Sequence, residues 1–125
     1  MKILVVMDVD AKQKQWLEMA APEADFCYCP GDGTQAGKAL EDADIIIGNI
    51  APDLVKKASQ LQWLQLNSAG ANEYCQPGVL PAGVTLTNAT GAYGLALSEH
   101  MLAQTLAMMK KLYLYYDNQH QSQWH

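Results

Sequence analysis

Residues 44 to 49 read Asp-Ile-Ile-Ile-Gly-Asn, and this short stretch decides the fold class. Three consecutive isoleucines without polar alternation indicate a strand that is buried on both faces, as in a parallel sheet covered by helices. Gly48 and Asn49 end the run, and a helical pattern that begins at Pro52 follows, with the proline in the first turn where it is tolerated. The stretch therefore predicts a strand followed by a helix, which is the repeating unit of an α/β domain.

The same alternation extends along the chain in both directions. Further strands are predicted at residues 2–8, 25–29, 62–66 and 84–88, and helices at 10–21, 34–42, 52–59 and 93–116. Asp10 and Thr34 are predicted to cap the first two helices. This order predicts a flavodoxin-like, doubly wound sheet of five parallel strands with a long C-terminal helix. We accordingly divide the chain into residues 1–92, the long helix 93–116 and a polar tail 117–125.

The composition excludes several classes of function. The 125 residues contain thirteen acids, eight lysines and no arginine, which gives a formal net charge of −5. Since arginine and lysine contacts to phosphate dominate nucleic-acid affinity, no nucleic-acid partner is expected. The chain also has no guanidinium to hold a carboxylate bidentately. Any anion that it binds must be held by lysine, by backbone N–H groups or by another chain.

The sequence also predicts where the protein is located. The apolar run at the N-terminus stops at Asp8, too soon for a signal peptide, and no apolar stretch is long enough to span a membrane. Three cysteines are an odd count without an export signal, which favours reduced thiols. We therefore expect a cytoplasmic protein with no membrane partner, and the histidines and cysteines are not spaced as a metal site.

Two loop segments with small residues are candidates for ligand binding, and the first of them gives only a weak signal. Residues 31–36 read Gly-Asp-Gly-Thr-Gln-Ala, which matches the form of a dinucleotide fingerprint. Pro30 precedes it, however, and the next strand ends at Gly48 and Asn49 without an acid for a ribose hydroxyl. We interpret this segment as a Pro-Gly turn with additional glycines.

The second segment follows the predicted fourth strand and reads Ser-Ala-Gly-Ala-Asn at residues 68–72, here called the SAGAN loop. Small residues leave backbone N–H groups accessible, and successive N–H groups that point the same way form a nest for an anion. Such a nest can bind a carboxylate without any arginine. The alternative interpretation is an ordinary turn between a strand and a helix.

Three segments together resemble a known family. They read LNSAGAN at residues 66–72, GVTLTNATGAYG at 83–94 and SEHMLAQTLAMMKKL at 98–112. In sequence and spacing they resemble the N-terminal half of the D-isomer-specific 2-hydroxyacid dehydrogenases. The resemblance covers residues 61–124 well, whereas the first sixty residues match only in their pattern of strands and helices.

The resemblance implies a substrate lobe of an NAD- or NADP-dependent enzyme that acts on a small 2-hydroxy or 2-oxo acid. The implied substrate-binding residues are Ser68, Ala69, Gly70, Ala71 and Asn88. Those expected to approach the cofactor are Tyr93, Gly94 and Leu95.

In the family the catalytic residues and the Rossmann lobe lie downstream, so no catalytic residue is assigned to this chain. Glu99 and His100 do not substitute for them, since adjacent helical side chains point about 100° apart. We expect the chain to be a truncated lobe, natural or engineered, that is inactive alone. The alternative is a stand-alone binding or interaction module for a small carboxylate or a protein.

The helix predicted at residues 93–116 carries two apolar stripes, whereas a helix packed on one sheet needs a single stripe. One explanation is a core helix with an exposed apolar flank. The other is an interface helix, and on that interpretation we predict a homodimer. Whether the helix folds back on the sheet or is domain-swapped is left open by the sequence.

Overall fold

The computed structural model describes residues 1–124, so His125, the last residue of the predicted tail, lies outside the described residues. The chain divides into two compact units, of which the first is Met1–Thr90 and the second begins at Gly91.

The first unit contains a five-stranded sheet. Its strands are β1 (Lys2–Val5), β2 (Asp25–Tyr28), β3 (Ile45–Ile47), β4 (Trp63–Gln65) and β5 (Thr85–Thr87). They lie in the order β2-β1-β3-β4-β5, and every pair is parallel. This order is that of the flavodoxin-like doubly wound sheets, and it confirms the predicted fold class.

The core follows from the register of the central strands. Leu4 of β1 pairs with Ile46 of β3, which pairs with Leu64 of β4, and all three side chains are fully buried. Ile46 is the middle of the three consecutive isoleucines, while Ile45 and Ile47 are half-buried. The hydrophobic run therefore lies at the centre of the sheet as predicted, but only the face that carries Ile46 is fully buried, whereas both faces were expected to be.

The helix α1 (Ala11–Ala20) begins as predicted. The Asp10 carboxylate accepts a 2.8 Å hydrogen bond from the Gln13 backbone N–H, and the Gln13 side chain accepts one of 2.8 Å from the Asp10 N–H. This reciprocal capping box satisfies two N–H groups that the helix itself cannot. The helix ends before Pro22, where no helical hydrogen bond is possible.

The second predicted helix is much shorter than expected, and its predicted cap is wrong. The helix α2 comprises only Lys38–Glu41, and its N-cap is Gly37, with a φ of 52°. Thr34 instead donates to Asp32, through its hydroxyl at 2.6 Å and its backbone N–H at 3.0 Å. This local turn competes with helix formation over the residues that follow β2. The next helix, α3 (Pro52–Val55), is also shorter than predicted but begins at the expected proline.

A glycine fixes the path of the chain after β3. Gly48 has a φ of 118°, and a Cβ built there would lie 2.9 Å from Val6 Cγ2 and 3.0 Å from the backbone nitrogen of Met7. Only glycine fits both the backbone angle and the space. The turn delivers Asn49 to the carboxyl edge of the sheet.

The second unit is helical. The predicted helix 93–116 is roughly present, but it is interrupted into α4 (Gly94–Met109) and α5 (Leu112–His120). The interruption lies at Lys110 and Lys111, and Lys111 has a left-handed φ of 54°. Because α5 runs to His120, part of the predicted polar tail is helical. Neither helix contains a buried residue.

Candidate functional site at the carboxyl edge of the sheet

The SAGAN loop lies where the carboxyl ends of β3, β4 and β5 meet. Two backbone hydrogen bonds continue the sheet ladder just beyond the strands, from Gly48 N–H to Gln65 O at 2.8 Å and from Leu66 N–H to Thr87 O at 2.8 Å. The chain segments that leave the three strands are therefore neighbours at this edge. In open α/β sheets, ligands bind at this edge.

Asn49 holds the entrance of the loop. Its side-chain oxygen accepts a 3.1 Å hydrogen bond from the backbone N–H of Asn67, and the Ser68 hydroxyl oxygen lies 3.4 Å from the same atom. The side chain that follows β3 thus fixes the segment that follows β4. From the sequence Asn49 was identified only as the end of a strand and not as part of the site.

Asn88 holds the middle of the loop from the other side. Its side-chain N–H donates a 2.7 Å hydrogen bond to the carbonyl oxygen of Ala69. The neighbouring Ala89 N–H donates to the Ser68 carbonyl at 2.9 Å, and the Thr90 N–H donates to the Asn88 side-chain oxygen at 3.3 Å. Two of the residues predicted for substrate binding, Asn88 and Ala69, are therefore in direct contact.

Tyr74 holds the exit of the loop. Its ring is buried, and its hydroxyl donates a 2.7 Å hydrogen bond to the carbonyl oxygen of Ile50. Burial raises the pKa of the Tyr74 hydroxyl, which therefore stays protonated as a donor. Its backbone N–H donates to the Ala71 carbonyl at 3.1 Å, and Ala71 packs against the hydrophobic core.

These contacts leave the N–H groups of the loop open. The carbonyl oxygens of residues 68 to 71 all accept hydrogen bonds, the one on Gly70 from the Ser68 hydroxyl at 2.8 Å. By contrast, the N–H groups of Ala69, Gly70 and Ala71 donate to no acceptor within residues 1–124. With its acceptors paired and its donors unpaired, the loop has the free backbone donors that an anion site requires.

The loop borders an open cavity of about 460 Å³. Three SAGAN-loop residues line it, Ser68, Gly70 and Asn72, as do several residues that the sequence did not indicate: Asp32, Asn49, Ile50, Ala51, Pro52, Glu73 and Tyr74. The topology offered a signal for Asn49, because it follows a strand that neighbours β4. Asp32 had no such signal, since its segment was interpreted as a turn.

Asp32 is tied to this edge through its backbone. Its carbonyl oxygen accepts a 2.8 Å hydrogen bond from the N–H of Ala51, which joins the segment after β2 to the segment after β3. The hydrogen bond from the Thr34 hydroxyl lowers the pKa of the Asp32 carboxyl group. Asp32 is therefore ionised at neutral pH and contributes a negative charge to the cavity wall.

The residues predicted to approach a cofactor belong to the second unit. Tyr93 precedes α4, and Gly94 and Leu95 are its first two residues. The side chains of Tyr93 and Leu95 are both exposed. Glu99 and His100 lie within α4 and are exposed as well.

The part of the chain that the structure describes, residues 1–124, was expected to contain neither a metal site nor a membrane span. Within this part of the chain, no three histidine, cysteine, aspartate or glutamate side chains are grouped so that they could hold a metal ion. No helix in it has the length and apolar character needed to cross a membrane.

Solved structures with this fold are known, and the predicted resemblance is confirmed by them. The chain is similar to a D-isomer specific 2-hydroxyacid dehydrogenase family protein from Aeromonas salmonicida, with a TM-score of 0.82 and 26% identity. It is also similar to phosphoglycerate dehydrogenase from Lactobacillus plantarum, with a TM-score of 0.57 and 25% identity. The two matches cover 99% and 100% of this chain but only 40% and 41% of those proteins.

A more distant likeness shows the fold alone. An NAD-dependent formate dehydrogenase from Staphylococcus aureus, solved in complex with NAD, matches all of this chain and 43% of its own length, with a TM-score of 0.69 and 16% identity. No family model and no curated protein sequence matches the chain. The chain thus spans about 40% of the length of the solved structures that it matches.

Proposed function

Since this chain has the fold of part of the D-isomer-specific 2-hydroxyacid dehydrogenases, we propose that it is the substrate-binding lobe of such an enzyme. The substrate is a small 2-hydroxy or 2-oxo acid, and the SAGAN loop binds its carboxylate. The reaction of the whole enzyme is hydride transfer between a nicotinamide and C2 of the acid. The catalytic acid–base groups and the dinucleotide belong to a second lobe, and we place the enzyme in the cytoplasm.

One observation carries this proposal. The N–H groups of Ala69, Gly70 and Ala71 are open at the carboxyl edge of a parallel sheet, while the carbonyl groups around them are paired. A backbone donor preorganised in this way loses little conformational entropy when an anion binds. It also requires no arginine, which this chain lacks. The loop is held from both sides by hydrogen bonds to the Asn49 and Asn88 side chains.

The proposed cofactor is NAD or NADP, and the glycine-rich segment of this chain does not fit its phosphates. The Asp32 carboxylate lies within that segment, and α2, which follows, has only four residues. An acid would repel a pyrophosphate, and a single turn of helix offers little dipole. No step through the dinucleotide is therefore assigned to residues 31–36. Tyr93, Gly94 and Leu95 keep the predicted role of approaching the cofactor.

The proposed protein partner is a second copy of this chain, bound through α4 and α5. Both helices expose apolar side chains along their length: Leu95, Leu97, Met101, Leu102, Leu106, Met108, Met109, Leu112, Tyr113, Leu114, Tyr115 and Tyr116. An apolar surface of this extent on a soluble domain marks an interaction site. Fully burying one such side chain stabilises an assembly by roughly 1.5–3 kcal/mol.

The proposal is tested by titrating the chain with glycolate while recording backbone amide NMR spectra. We expect saturable chemical-shift changes concentrated at the amides of residues 69–71. Ethylene glycol, which has a similar size but no carboxylate, is the control ligand and should leave these amides unchanged. Equal effects of the two ligands, or no effect of glycolate at millimolar concentration, would contradict the proposed carboxylate site.

A second experiment tests whether the catalytic groups lie outside this chain. The purified chain is mixed with NADH and glyoxylate, and absorbance at the nicotinamide band is followed. We expect no oxidation above the uncatalysed rate, because the acid–base groups are assigned to another lobe. Measurable turnover would show that this chain itself contains a catalytic residue.

A further inference from the structure

We infer that Asp32 and Glu73 make this site selective for acids with a single negative charge and a hydroxylated, uncharged end. The inference rests on the proposed function, since it concerns the same cavity and the part of the substrate that lies beyond the carboxylate. It assigns a specificity role to two residues that the sequence analysis did not connect with the site.

The charged groups on the cavity wall are all acidic. Asp32 and Glu73 line the same cavity of about 460 Å³ as Ser68 and Gly70, and no lysine or histidine is among its lining residues. All of the formal charge on the described wall is therefore negative. A first carboxylate is compensated by the open N–H groups of the SAGAN loop. A second one would find no such donor and would meet two carboxylates.

The second argument is the position of Asp32, which is fixed. Its backbone carbonyl is bonded to Ala51 N–H, and one oxygen of its carboxylate accepts two hydrogen bonds from Thr34. The carboxylate is thus oriented by its own turn and cannot easily rotate away from an approaching anion. The same hydrogen bonds keep it ionised across the neutral pH range.

The remaining polar groups suit a neutral ligand end. Asn49 and Asn72 line the cavity and each carries a side-chain amide, which has both donors and acceptors. Carboxylate groups accept hydrogen bonds only. A hydroxyl group can donate to a carboxylate and accept from an amide, whereas a second carboxylate can only accept. The wall therefore favours a hydroxylated end.

The experiment compares two ligands of similar size, glycerate and tartronate, which differ in having a hydroxymethyl or a second carboxylate on C2. Binding is followed by the amide shifts of residues 69–71 at low salt and again at 0.5 M salt. The Asp32 and Glu73 carboxylates are exposed, so solvent and salt screen their repulsion. We therefore expect tartronate to bind only about fivefold to tenfold more weakly than glycerate at low salt. The difference should shrink to about twofold at high salt.

Charge-neutralising variants identify the source of the selectivity. The double variant Asp32→Asn with Glu73→Gln should bring the two affinities within about twofold of each other at low salt. An asparagine keeps the oxygen that accepts from Thr34, so the turn is preserved. The matched control is Asp25→Asn, which removes one negative charge at the start of β2, at the opposite edge of the sheet. It should leave the selectivity unchanged.

The outcomes separate this inference from the proposal on which it rests. If glycerate itself does not bind, the proposed carboxylate site is wrong and the selectivity falls with it. If glycerate and tartronate bind equally well, the carboxylate site stands and the selectivity is refuted. A selectivity that persists unchanged in the double variant would refute the assignment to Asp32 and Glu73.

Discussion

The side-chain amide of Asn88 donates a 2.7 Å hydrogen bond to the carbonyl oxygen of Ala69. The two residues are nineteen positions apart in sequence. The bond joins the segment after β5 to the middle of the SAGAN loop. It occupies the Ala69 carbonyl as an acceptor, while the neighbouring N–H groups donate to no acceptor within residues 1–124. One amide side chain thus fixes the middle of the loop.

Removing this contact should weaken both the loop and its ligand. In Asn88→Ala the Ala69 carbonyl loses its donor, and we expect the free energy of unfolding to fall by about 1 kcal/mol. Glycolate affinity should fall about fivefold to tenfold, because the loop must then be ordered on binding. Chemical denaturation and amide NMR measure the two effects. Asn118→Ala in α5 is the control, and a similar loss of affinity there would contradict the role given to Asn88.

A substitution at Gly70 should affect ligand binding and stability in opposite directions. Its φ is not in the left-handed region, and a Cβ built there would meet no atom within 4 Å. Gly70→Ala should therefore raise the free energy of unfolding by roughly 0.4–1 kcal/mol, through the entropy of the unfolded chain. The new methyl group would project beside the open N–H groups, so we expect glycolate affinity to fall at least about tenfold.

Gly48→Ala is the matched comparison for Gly70→Ala. The new Cβ would meet Val6 Cγ2 and the Met7 backbone in a residue with a φ of 118°. We expect a loss of about 2 kcal/mol or more of stability from overpacking and backbone strain. The pair of variants is measured by urea denaturation and glycolate titration. A destabilised Gly70→Ala would show that Gly70 serves the fold rather than the ligand.

Acid should destabilise the first unit in part through Asp42. The hydrogen bond from Lys2 Nζ, at 2.9 Å, lowers the pKa of the Asp42 carboxyl group in the folded chain. The contribution of Asp42 to stability is therefore fully present above the pKa that its carboxyl group has in the unfolded chain, near 4. It is lost as the pH falls through the lower pKa of the same group in the folded chain. We expect the free energy of unfolding to decrease between about pH 5 and pH 2, and to decrease less in Asp42→Asn.

Urea denaturation at a series of pH values measures this effect. Because the Lys2–Asp42 pair is exposed, the difference between Asp42→Asn and the unmodified chain should also shrink in high salt. Glu23→Gln, a change at an exposed glutamate, is the control. If the free energy of unfolding of Asp42→Asn falls as steeply with decreasing pH as that of the unmodified chain, the Lys2–Asp42 pair makes no contribution.

The apolar surface of α4 predicts self-association. The Leu102 side chain is 62% exposed, and in a dimer it would be buried. We expect light scattering at tens of micromolar to give the mass of a dimer or larger, and Leu102→Glu to shift it toward the monomer. Gln104→Glu adds the same charge on the same helix at a polar position and should leave the mass unchanged. A monomeric mass for the unmodified chain would refute the proposed interface.

The sequence predicted the sheet because its signals are local. The three isoleucines of β3, the Asp10 cap and the proline at the start of α3 each act within a few residues, and each appears in the structure as expected. The contents of the site were harder to predict. The hydrogen bond between Asn88 and Ala69 is long-range, and no local pattern indicates it.

Two misjudgements have a common physical origin. Thr34 was predicted to cap a helix, but its hydroxyl bonds to Asp32 two residues earlier. The long helix was predicted to be continuous, but Lys111 adopts a left-handed conformation that no composition rule requires of a lysine. In both places a short-range backbone choice competes with helix propensity, and propensity alone does not decide it.

The open donors of the SAGAN loop belong to the main chain and not to side chains. An alanine scan across residues 68–72 would therefore leave these donors in place, and at positions 69 and 71, which are already alanine, it would change nothing at all. An ester that replaces the amide at one position deletes a single donor without changing any side chain. Within such a loop a side chain matters mainly through the space that it takes, as at Gly70, whereas the distant side chains that hold the loop in shape must be kept.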